Sequence, residues 1–100
     1  MKMIYLSCNI SLLEDVLDIA KTVELHDFQV LPHVLFSGSN EEPRMDSPVW
    51  PGHNASLLFQ INDEEKAAQL FDKVREFNQK TINSSEQIKA YSWQIAEWIE

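Results

Sequence analysis

One hundred residues, 44% of them hydrophobic, fit a single domain spanning 1–100 with one core. Sixteen acidic side chains against eight basic ones leave a formal charge of −8, which repels phosphate backbones and anionic lipid heads and argues against nucleic acid or a membrane surface as partner. The single cysteine, Cys8, excludes an intrachain disulfide; with no apolar run near about 18 residues and no signal-peptide pattern, the expected location is cytoplasmic, without direct membrane insertion.

Residues 2–8 are a short, largely apolar run suited to a buried strand. Ser11 with Glu14 reads as a capping box, and Leu13, Val16, Leu17 and Ala20 recur at helical spacing, so a helix is expected over about 12–24. The run Phe28–Phe36 favours a strand, and Pro32 within it points to an edge position or a bulge, because proline cannot donate to a ladder.

Residues 36–54, FSGSNEEPRMDSPVWPGHN, hold both glycines and three of the four prolines, so a long loop without helix or central strand is expected there. Loops of this length inside a small domain are usually functional or disordered. Ala55–Ile61 then alternates as a strand, with Leu58 making its second face partly apolar. Asn62 as N-cap opens a helix over about 63–78, whose apolar stripe is Ala67, Leu70, Phe71, Val74 and Phe77. The last strand is expected over Ile88–Ile95, and residues 96–100 add one helical turn with Trp98 buried.

The element order is βαββαβ, the split unit of ferredoxin-like α+β folds: a four-stranded antiparallel sheet with two helices on one face. Two helices leave the other face bare. Leu58, and either Tyr91 with Trp93 or Ile88 with Ala90, put apolar material there, so another copy of the chain is expected to cover it.

No catalytic constellation stands out, and a non-enzymatic role is expected. Two glycines cannot build a phosphate-wrapping loop. The candidate metal or effector ligands are His33, His53 and Glu42, with the loop carboxylates Glu41 and Asp46 and Cys8 nearby in the reckoning. Against ligation stand ordinary readings: a half-solvated strand histidine for His33, a small core residue for Cys8, and loop solubility for Glu41, Glu42 and Asp46. Trp50, stiffened by Pro48 and Pro51, either caps the core or anchors a partner.

Glu42 and Pro43, Ser47, Trp50 and Pro51, and Asn54, followed by Ile88, Lys89, Ala90, Tyr91, Trp93 and Ile95, together resemble the PII-like signalling proteins, in particular a short subgroup associated with efflux-type transport systems. The resemblance implies a homotrimer whose sheets face inward and whose 36–54 loop engages a transporter or its regulator in response to a small effector or a divalent metal. It places Glu41, Glu42, Arg44, Asp46 and Trp50 on the partner-binding loop. The chain departs from ordinary PII proteins over Gln79–Gln87, which has no glycine and only Lys80 as a cation, and this argues against an adenine nucleotide. It departs from the subgroup at Arg44 and Pro48, where histidines stand.

Two other classes compete. One is a dimeric ferredoxin-like monooxygenase or haem-handling enzyme with a pocket lined by Trp50, Phe59 and Trp93 and with His33 or His53 acting. The other is an ACT-like ligand-binding module, which usually carries a tethered catalytic domain.

Overall fold

Strand β1, Lys2–Asn9, lies at the centre of the fold in the computed structural model, which describes residues 1–100. Its side chains alternate: Ile4, Leu6 and Cys8 are buried, while Met3, Tyr5 and Ser7 face the other way and are only partly covered. A short 3-10 turn, Ile10–Leu12, leads into helix α1, Leu13–Thr22. The helix starts differently from the expected capping box, because the Asn9 side chain caps the preceding turn by accepting from the Ser11 N–H at 3.1 Å. Glu14 and Asp15 in the first turn and Lys21 in the last complement the helix dipole.

Helix α1 stops at a Schellman motif: the Leu25 N–H reaches Ala20 O at 2.9 Å and the Glu24 N–H reaches Lys21 O at 3.1 Å, with Glu24 left-handed at φ 61°. Those bonds end it short of residue 24 and bury Leu25.

Strand β2, Phe28–Val34, follows as an edge strand. Its register with the next core strand shifts between Leu31 and Val34, across Pro32, as the missing proline N–H requires. The long loop expected over 36–54 carries no helix and no strand of the main sheet, but it contains a small separate hairpin of β3, Phe36–Gly38, and β4, Glu41–Arg44. Gly38 is needed because a Cβ there would lie 2.7 Å from the Phe36 ring.

Strand β5, Asn54–Ile61, returns through the middle of the sheet, and helix α2, Glu64–Gln79, follows. Its N-cap is Asp63 rather than Asn62: Asp63 Oδ1 accepts from the Glu65 and Lys66 N–H groups at 3.0 and 3.2 Å. At its far end the Asn78 side chain clamps Ile88, donating to its carbonyl and accepting from its N–H, both at 2.8 Å. That fixes the entry to β6, Lys89–Gln94. Residues 96–100 form no helix, and Trp98 is half exposed rather than buried.

The four core strands run in the order β2-β5-β1-β6, every neighbouring pair antiparallel, with both helices packed on one face: a ferredoxin-like α+β fold. Ile4, Leu6, Leu57 and Phe59 meet Val16, Leu70 and Val74 there. The opposite face carries Met3, Tyr5, Leu58, Tyr91 and Trp93, because Tyr5 is paired with Leu58 on one side and Tyr91 on the other. Tyr91 and Trp93 are about half exposed, so this apolar face is uncovered in a single chain.

Candidate functional site

Beyond β2 the chain is fastened by charge before it is free to reach outward. Glu41, its side chain only 5% exposed, receives Lys89 Nζ at 2.6 Å and Arg44 Nη2 at 3.4 Å. Arg44 Nε donates to Asn54 Oδ1 at 2.7 Å, and Asn54 Nδ2 donates to Ser7 Oγ at 3.3 Å. Phe36 stacks under both cations, with Arg44 Cζ at 4.6 Å and Lys89 Nζ at 4.8 Å from its ring centre. The hairpin β3–β4 is therefore tied to β1, β5 and β6 at the end of the sheet where β5 begins.

Burial would push the Glu41 carboxyl up, but the hydrogen bonds and charges of Lys89 and Arg44 together outweigh it and hold the group below its ordinary value. An ionised carboxylate is thus kept inside the fold. Cys8, in contrast, has its thiol pushed up to about 11, chiefly by burial and against the nearby Arg44. It stays protonated and behaves as a core residue.

The next stretch makes a second, separate cluster. The N–H groups of Met45 and Ser47 both donate to Trp50 O at 3.0 Å, and the Asp46 N–H donates to Gly52 O at 2.9 Å. This turn puts Asp46 in the left-handed region at φ 52° and uses Gly52 at φ 86°, where a side chain would be strained. The result aims the Asp46 carboxylate back at the foot of the loop. His53 Nδ1 lies 3.0 Å from Asp46 Oδ1, and His33 Nε2 contacts Asp46 Oδ2. The two imidazoles meet edge to face with centroids 4.2 Å apart. Hydrogen bonding from His33, with a smaller contribution from His53, holds the Asp46 carboxyl below its ordinary value against a lesser desolvation effect.

Each residue singled out in the sequence has a place in this arrangement. His33 and His53 come together, but their third partner is Asp46; Glu42 is exposed on β4 and is not in the group. Glu41 and Arg44 turn inward, whereas Asp46 and Trp50 are on the surface, Trp50 being 38% exposed and Val49 beside it 73%. The residues that sequence reasoning did not connect are Lys89, Asn54 and Phe36. Asn54 and Lys89 stand among the residues that carry the resemblance, but no spacing rule links positions so far apart to one another or to Phe36.

The enzyme pocket expected from Trp50, Phe59 and Trp93 does not form within the chain. Phe59 is fully buried under the helices, and Trp93, paired with Met3, lies on the opposite face of the sheet. No helix is long and apolar enough to cross a membrane.

No protein-family model and no curated protein sequence matches the chain. Solved structures do match it. A PII-like signalling protein from Thermus thermophilus is 16% identical with a TM-score of 0.66, over 92% of this chain and 83% of that one. CPII, a nitrogen regulatory PII-like protein from Thiomonas intermedia, bound to ADP, AMP and bicarbonate, is 11% identical with a TM-score of 0.68, over 96% and 88%. Its apo form is 13% identical with a TM-score of 0.62, over 94% and 89%. The likeness at such identities is one of fold: the chain is folded as PII-like signalling proteins are.

Proposed function

We propose that this chain, folded as the PII-like signalling proteins are, is a non-enzymatic regulatory protein that works as a homotrimer and uses its 36–54 loop to engage a membrane transporter or the regulator of one. The single observation carrying the reading is the one-sided sheet. Its bare face bears Met3, Tyr5, Leu58, Tyr91 and Trp93, an apolar surface that a solitary soluble chain seldom leaves in water. Packing that face against sister chains leaves the opposite, helical layer and the loop free for partners.

On this reading the loop has a fixed base and a working tip. Glu41 and Arg44 hold the base through Lys89 and Asn54, and Glu42 and Trp50 are the side chains offered to a partner, Asp46 being turned back to His33 and His53. A tryptophan beside exposed Val49 is the kind of rigid apolar anchor that dominates binding energies. An effector then acts by binding one loop state better than another.

An adenine nucleotide fits poorly as that effector. The open cleft between the hairpin and Asn83–Ser85 is lined by Glu41 and Glu42 and by a single cation, Arg44, whose guanidinium is already engaged by Glu41 and Asn54. Phosphates would meet no unpaired cation there, since Lys89 and Arg44 are both engaged by Glu41.

Native mass spectrometry of the wild type and of Trp93→Lys tests the assembly. Three chains in the wild type and one in the variant, with the same far-UV spectrum, are expected. A single chain in both removes the proposal.

A further inference from the structure

We propose that His33, Asp46 and His53 form a binding site for one borderline divalent transition-metal ion, Zn²⁺ being the representative case, and that the ion fastens the end of β2 to the turn at the foot of the loop. This deepens the regulatory reading by giving its effector a chemical class, and it stands on geometry of its own.

The three side chains come from separate pieces of chain. His33 sits at the bulge of β2, Asp46 at the left-handed corner of the 45–52 turn, and His53 just ahead of β5. Their ligand atoms all lie within 4.8 Å of one another. A metal bonded at roughly 2.0–2.2 Å to nitrogen and oxygen sets tetrahedral ligand atoms about 3.4 Å apart, so the hydrogen-bonded histidine–carboxylate pairs must open slightly and wider separations close, an adjustment that side-chain rotation supplies where the groups are exposed. They are: the side chains of His33, Asp46 and His53 are 62%, 34% and 28% exposed. The backbone under them is not free to drift. Asp46 is held by its N–H to Gly52 O at 2.9 Å, and His53 by its carbonyl, which accepts from the Ile10 N–H at 3.1 Å.

Donor type selects the ion. Two imidazoles with one carboxylate suit Zn²⁺, Cu²⁺, Ni²⁺ or Co²⁺, whereas Mg²⁺ and Ca²⁺ prefer oxygen ligands throughout. Three protein ligands leave a coordination position open to water or to a side chain brought by a partner. Without metal, the two rings share one carboxylate through hydrogen bonds, an arrangement that a cation at the centre replaces with three bonds of its own. The ion then favours the loop state in which the 45–52 turn stays docked on β2, and its binding is coupled to that state by its preference for it.

The test uses untagged protein titrated with ZnCl₂ by calorimetry and with CoCl₂ by visible absorption. One ion per chain is expected, with cobalt d–d bands showing nitrogen and oxygen ligation. His33→Ala, His53→Ala and Asp46→Asn should each weaken binding by at least about ten-fold, given that even outer-shell changes cost that much. His26→Ala, which removes the histidine outside the cluster, should bind as the wild type does. Far-UV spectra check each fold, and His33→Gln on the most exposed ligand serves where a harsher change unfolds the chain. Absence of binding by the wild type, or wild-type binding by His33→Ala or Asp46→Asn, overturns the site. A trimer that binds no metal would sink this inference alone, and a monomer that binds it would sink the assembly alone.

Discussion

Lys89 Nζ stands 2.6 Å from Glu41 Oε2, so the first residue of the last core strand holds the first residue of the loop hairpin's second strand. The contact joins positions 48 apart in sequence, and with Arg44 it turns what would be a free arm into a rooted one. Glu41→Ala leaves Lys89 and Arg44 facing each other across a nearly buried site. The expected loss is about 1–3 kcal/mol, read from urea unfolding. Lys89→Ala, which removes a side chain 41% exposed, should cost less. Equal and negligible effects from both would show that the ion pair does not hold the loop.

The same carboxyl fixes an acid limit. Its folded-state value lies below the ordinary 4.5, so folding is favoured while the group is ionised in both states, and that contribution is complete above about pH 5.5. As pH falls through 4.5 and then through the lower folded-state value, the unfolded chain takes up the proton first and the contribution is lost. The stability difference between wild type and Glu41→Gln should be flat from about pH 6 to 8 and shrink below about pH 4.5. Subtracting the variant removes other carboxylates, Asp46 included. A difference that grows on acidification would contradict the assignment.

Helix α2 offers a prediction about a single residue. Asp63→Ala removes the acceptor of two N–H groups and should cost about 1 kcal/mol, within a range of roughly 0.5–2, in chemical denaturation. Asn62→Ala, one position earlier, should change stability by less than about 0.5 kcal/mol. A reversed order would return the cap to Asn62.

Much of this fold was readable from alternation and turn chemistry. The apolar alternation of β1 and β5 and the helical stripe of α2 mark their buried faces directly, and Pro32 marks the register shift of an edge strand. Helix ends were less legible, because neighbouring residues such as Asn62 and Asp63 compete as caps and only backbone geometry decides between them. Residues 96–100 differ from the helical turn expected there, since an apolar spacing does not by itself provide a surface on which Trp98 can be buried.

The site divides along the same line. His33 and His53 were candidates by residue type, but Asp46 joins them only because a left-handed corner and Gly52 reverse the chain between them, a three-dimensional event with no sequence period. Phe36, Glu41 and Arg44 fold the first half of the loop onto the sheet, and outward exposure is concentrated near Val49 and Trp50. Trp50→Ala should therefore leave stability in urea unfolding within about 0.5 kcal/mol of wild type, and a larger loss would show that the indole caps the core.

Sister chains cover Met3, Tyr5, Leu58, Tyr91 and Trp93 if the protein works as the proposed homotrimer. Size-exclusion chromatography with light scattering on the untagged wild type at micromolar concentration measures it directly. A mass three times the 11.6 kDa of the chain is predicted. A mass of one chain would contradict it.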